Sequence, residues 1–142
     1  MKKHFILFIT IIFTLAMVSS AYAKCPEPRK TKSAPMVQDR TKKANKVNGK
    51  KLFNKTAKPI ACKMCHGKTG AGNGKLGKVL KPRPRNFTCK ETMKEVSAGQ
   101  MFWIIKNGSK GTGMVAHKKT LKDKEIWDII KYIRTDLMKG KK

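Results

Sequence analysis

Cys62-Lys63-Met64-Cys65-His66 places two thiols two residues apart beside an imidazole. On one turn of chain, both thiols can form thioethers to the vinyl groups of a haem, and the adjoining imidazole can ligate its iron. The three residue types thus have one joint use, and one covalently bound haem c is the expected cofactor. Three other readings of the cysteines explain less. A thioredoxin-like C-x-x-C needs a βαβ context, and no run with alternating hydrophobicity precedes Cys62. A zinc site could recruit Cys62, Cys65, Cys89 and either His66 or His117, but no second C-x-x-C pair is present. A plain Cys62–Cys65 disulfide leaves His66 without a purpose.

The chain that must position this motif has 142 residues, enough for one small domain. Lys2 and Lys3, the apolar run Phe5 to Val18 and the small-residue ending Ala21-Tyr22-Ala23 form a secretory leader over 1–23, with cleavage expected after Ala23. The apolar run is short for a membrane span. Cys25 follows Lys24, which argues against a lipid anchor. The expected location is the periplasm, where thiols are normally disulfide-bonded, metal-bound or modified, so all four cysteines need a role. The formal net charge is +26, and loss of Lys2 and Lys3 lowers it by only two. Acidic partners are expected. Nucleic acid is set aside because the chain is exported and has few aromatics beside its basic residues.

Residues 24–45 carry Pro26, Pro28 and Pro35 among Lys, Arg, Thr and Ser, which reads as an extended basic arm. The domain proper is expected over 46–142. Its first helical segment runs from about Val47 to Ala57, with Val47, Leu52 and Phe53 able to share a face. A glycine-rich loop follows the C-x-x-C-H segment, and Lys81-Pro82-Arg83-Pro84-Arg85 is stiff and extended. Ser97 and Gln100 form a capping box for the apolar helix that Asn107-Gly108 stops. Thr120 with Asp123 is expected to cap a last helix whose Ile126, Ile129, Ile130, Ile133 and Leu137 recur at three and four spacing. The fold class is therefore all-α, with three main helices and long loops that a large apolar cofactor can hold together.

GKKLF, CKMCHG, the glycine-rich turn, LKPRPRNFT, QMFWIIKNG, GTGM and EIWDIIKYIR follow one another in an order that resembles the class I, monohaem cytochrome c family, across nearly all of residues 47 to 138. The likeness is strongest to small bacterial periplasmic members. It implies the cytochrome c fold, thioethers from Cys62 and Cys65, proximal ligation by His66 and distal ligation by Met114. It also implies packing of the first helix on the last through Phe53, Trp127 and Ile130. A carbonyl from Pro82 or Pro84 would orient His66, and Trp103 would lie against the haem edge. The chain departs from the family in having Val115 rather than Pro after Met114, in its extra Cys25 and Cys89, and in its basicity.

Met114 sits in a loop beside Gly111 and Gly113 rather than on a helical apolar stripe, which favours iron ligation over core filling. Cys89 is the alternative sixth ligand; it could instead pair with Cys25, bond to another molecule or remain a free thiol. His117 reads as a surface histidine. The expected function is a periplasmic carrier of single electrons between redox proteins, with no substrate chemistry of its own and so not an enzyme. Lys63, Lys68, Lys75 and Lys110 are candidates for its contact ring. The alternatives are a gas-binding or sensing haem c protein, or the haem subunit of a heteromeric complex. Monomer and heterodimer both remain open, and the arm also suits contact with an anionic membrane surface.

Overall fold

The structure, a computed structural model, describes Cys25, Pro35 and residues 37–139. The leader at 1–23 and most of the arm before Val37 lie outside the described residues.

A 3-10 turn at Thr41–Lys43 precedes α1 (Lys46–Lys51), which runs on as a π-helical turn over Leu52–Thr56. The single turn α2 (Lys63–His66) carries the C-x-x-C-H motif. A 3-10 turn at Gly77–Val79 and the short α3 (Lys90–Met93) lead to α4 (Ala98–Asn107) and α5 (Asp123–Tyr132). The last helix also ends in a π-helical stretch, Ile133–Leu137. No strand occurs among the described residues. The expected all-α class and its three main helices are present.

α1 and α5 cross where α1 has no side chain. A Cβ on Gly49 would collide with the Asp128 carbonyl oxygen, so only glycine allows this approach. The fully buried Asp128 carboxylate secures the crossing: it accepts from the Asn45 N–H at 2.6 Å and from Asn48 Nδ2 at 2.8 Å, and Lys124 Nζ lies at 3.3 Å. Asn45 in turn caps α1 by accepting from the Asn48 N–H. With Gly49 on the inner face, Val47 is two residues, or about 200°, round the helix. It is 75% exposed, so the face shared by Leu52 and Phe53 does not include it.

The apolar stripe of α5 is buried along its whole length, from Ile126 through Ile129, Ile130 and Ile133 to Leu137. Burial of each such side chain contributes about 1.5–3 kcal/mol. The first helix packs on the last as the resemblance implied, but Trp127 takes another partner. Phe53 meets Tyr132 edge-on at 5.5 Å, while Trp127 stacks on Phe102 of α4 at 4.6 Å, so Trp127 joins the last helix to α4.

The capping box of α4 is formed: Ser97 Oγ accepts from the Gln100 N–H and Gln100 Oε1 from the Ser97 N–H. The start of α5 differs from the expected Thr120 and Asp123 cap. Glu125 Oε2 accepts from the Lys122 N–H at 2.8 Å, Asp123 pairs with Lys106 at 2.8 Å, and the Thr120 hydroxyl is engaged elsewhere. The end of the arm is docked rather than free. Val37 is half-buried against the core, and its carbonyl seats on Gly99. Cys25 and Cys89 form a disulfide, with Cα atoms 5.8 Å apart, and this decides the choice left open for both thiols.

Candidate haem-binding site

The C-x-x-C-H residues form one turn because the His66 and Cys65 N–H groups both donate to the Cys62 carbonyl, at 2.9 and 3.2 Å. Gly67, at φ 80°, ends it in a conformation that suits glycine. The carbonyls left at the end of so short a helix need donors. The glycine-rich loop supplies them: the Gly72 N–H donates to His66, the Gly74 N–H to Cys65 and the Leu76 N–H to Met64, at 2.8 to 3.1 Å. The loop is thereby wrapped closely on the motif.

His66 Nδ1 lies 3.2 Å from the Arg85 carbonyl oxygen. A carbonyl only accepts, so Nδ1 carries the proton and Nε2 carries the lone pair a metal requires. The orienting carbonyl is thus that of Arg85, the residue after Pro84, not of Pro82 or Pro84. Phe87 stacks on the imidazole at 4.5 Å with 16° between the planes, and the Phe87 N–H is held by the Gly70 carbonyl.

Met114 lies on the loop between α4 and α5. The Ser109 N–H donates to the Met114 carbonyl at 3.0 Å, and the Met114 N–H donates to Thr112 Oγ1 at 3.1 Å. His117 is not on the surface. It is 3% exposed, with Nδ1 donating to the Lys58 carbonyl at 2.8 Å. Its place three residues after Met114 gave no sign of this, because its partner is a backbone atom distant in sequence.

Cys62, Cys65, His66 and Met114 all line one cavity of about 380 Å³. Its walls are mainly apolar, with Ile60, Leu80, Met101, Trp103 and Ile104 among them. Trp103, which the resemblance would lay against the haem edge, is one of the residues of this wall. Burial pushes the Cys62 thiol up to about 12 and raises that of Cys65 as well. Burial thus disfavours the thiolate that a reactive redox pair would use. The Cys25–Cys89 bond leaves Cys89 no thiolate to offer, which counts against the zinc grouping already set aside and against Cys89 as sixth ligand; Cys89 is also absent from the cavity wall. An apolar cavity with two thiols, an imidazole of fixed tautomer and a thioether sulfur on its walls fits a haem held by two sulfur links.

An all-α fold built around such a cavity defines a covalent-haem protein. The chain belongs to the cytochrome c family: the model described as Cytochrome c matches residues 47–136, more than half its length. It is a c-type cytochrome, and the cofactor of that family is haem c. No curated protein matches the chain. Among solved structures it is similar to a chain of the Kuenenia stuttgartiensis reducing HAO-like protein complex Kustc0457/Kustc0458, at 25% identity and a TM-score of 0.53. The likeness covers 78% of this chain and 50% of that one, so the chain spans about half the length of this neighbour.

Proposed function

We propose that the protein is a class I, monohaem cytochrome c that carries single electrons between periplasmic redox proteins and catalyses no reaction of its own. The observation that carries this reading is the convergence of Cys62, Cys65, His66 and Met114 on one apolar cavity. In this reading Cys62 and Cys65 hold the haem by thioethers, His66 is the proximal ligand and Met114 the distal one. The haem supplies the one-electron couple of its iron. The Arg85 carbonyl keeps His66 in the tautomer that ligates, and the apolar walls limit water, which favours the less charged reduced state. With both axial positions taken by side chains, no position is left for a substrate.

Export after cleavage at Ala23 is part of the same proposal, as is the division into a leader over 1–23, an arm over 24–45 and a domain over 46–142. Among the described residues no helix is long and apolar enough to cross a membrane. Lys68, Lys75 and Lys110 are exposed, Lys63 is half-buried, and Lys110 and Val115 line the cavity. These residues suit a contact ring for a partner that presents carboxylates, and the basic arm suits an anionic membrane surface.

A second reading, a haem subunit held in a heteromeric complex, draws support from the likeness to one chain of a multichain assembly. Size-exclusion of the native extract separates the two: a free carrier elutes at the size of the single chain, a docked subunit with its complex.

The ligand assignment is tested by absorption spectroscopy. The oxidised protein is expected to show the weak long-wavelength sulfur-to-iron band, and the reduced protein to leave carbon monoxide unbound. Met114→Ala should abolish the band, bind carbon monoxide and lower the reduction potential. A band that persists in Met114→Ala would remove Met114 from the iron. Rapid carbon monoxide binding by the unaltered protein would favour the gas-binding reading instead.

A further inference from the structure

One backbone carbonyl ties the Met114 loop to the segment that leads into the haem-attachment motif. Lys58 O accepts from His117 Nδ1 at 2.8 Å and from Thr120 Oγ1 at 2.6 Å. Both donors lie on the stretch that follows Met114. Lys58 lies four residues before Cys62, and the intervening Ile60 and Ala61 line the cavity. His117 lines that cavity too, and its own N–H donates to the Ile105 carbonyl of α4 at 3.0 Å. It is therefore fixed on two sides.

The chain around Met114 is held differently. Its bonds to Ser109 and Thr112 lie within the loop and can move with it, and Val115 is 45% exposed. Nothing in those local bonds resists a movement of the loop as a unit. The Met114 side chain packs on the core and Gly113 lies against Leu80, and the bonds made by His117 and Thr120 add anchorage outside the loop.

We infer that His117 is a positioning residue: its bond to the Lys58 carbonyl clamps the loop and sets how often the Met114 sulfur leaves the iron. The inference rests on Met114 being the distal ligand. An added ligand binds only the fraction of molecules whose sixth position is open, so its apparent affinity reports that fraction. The net contribution of one hydrogen bond corresponds to a several-fold change in such a population.

The test is a titration of the oxidised holoprotein with imidazole, following loss of the sulfur-to-iron band. His117→Phe keeps a ring in the buried position but removes the donor, and His117→Asn keeps a donor near the place of Nδ1. His117→Phe should raise the affinity for imidazole about fivefold, while His117→Asn stays within about twofold of the unaltered protein. Thr120→Val removes the second donor from an exposed position; it should shift the affinity the same way, and it serves if His117→Phe fails to fold. Unchanged imidazole affinity in His117→Phe, or in Thr120→Val where the former does not fold, overturns the clamp, even if the denaturation midpoint falls. An unaltered protein that lacks the band overturns the Met114 assignment and the clamp together, which distinguishes the two failures.

Discussion

The imidazole of His66 meets the Arg85 carbonyl and the ring of Phe87, and these contacts do different things. The Arg85 carbonyl selects the protonated nitrogen, and the face of Phe87 sets the ring plane. Phe87 also contacts Phe53 edge-on at 6.4 Å, so its removal opens the wall behind the ligand. Phe87→Ala is expected to cost about 3 kcal/mol of stability, from lost burial and the cavity left behind. Chemical denaturation of the holoprotein measures it. Phe87→Leu, which keeps most of the volume, should recover the greater part; an equal loss in both variants would show that the aromatic face itself is required.

The crossing of α1 and α5 is the joint on which the two ends of the domain depend. Gly49 sits against the backbone of Asp128, which cannot rotate aside as a long side chain could. Gly49→Ala should therefore lose about 3 kcal/mol despite the better helix propensity of alanine, read as a lower denaturant midpoint. A stabilised variant would show that the helices can separate freely. The turn that precedes α1 has its own pH dependence. Burial would raise the Asp39 carboxyl, but hydrogen bonds from Thr41 and the charges of Arg134 and Lys131 outweigh it and hold the group below its ordinary 3.8. A lowered value in the folded state means that the stabilisation is complete above 3.8 and is lost as the pH falls through the folded value. Between about pH 5 and pH 2 the thermal midpoint should fall less in Asp39→Asn than in the unaltered protein. Parallel curves would remove Asp39 from the acid response.

Over the molecule as a whole, charge rather than shape dominates encounters at a distance. A net charge of +26 on 142 residues attracts any carboxylate-lined surface and repels another copy of the chain. Electron transfer to an acidic acceptor should slow by at least about tenfold between low and roughly 0.5 M salt, measured by stopped-flow reduction. A salt-independent rate would point to a partner already bound. The Cys25–Cys89 bond spans 64 positions and ties Cys25 to the residue that precedes α3.

The amino-acid sequence by itself determined the chemistry that lies within a few residues: the C-x-x-C-H turn, the capping box of Ser97 and Gln100, the stripe of α5 and the all-α class. Each depends on side-chain type at fixed spacing, and such spacing survives without knowledge of the rest of the chain. Only the tertiary structure decided that the Arg85 carbonyl orients His66, that His117 is buried on Lys58, that Trp127 stacks on Phe102 and that Cys89 is spent on Cys25. Two of these partners are backbone carbonyls, which every residue possesses and which no residue type announces. The others join positions that are far apart along the chain and meet only when the helices pack, so the choice among equally suitable rings and thiols is made by packing.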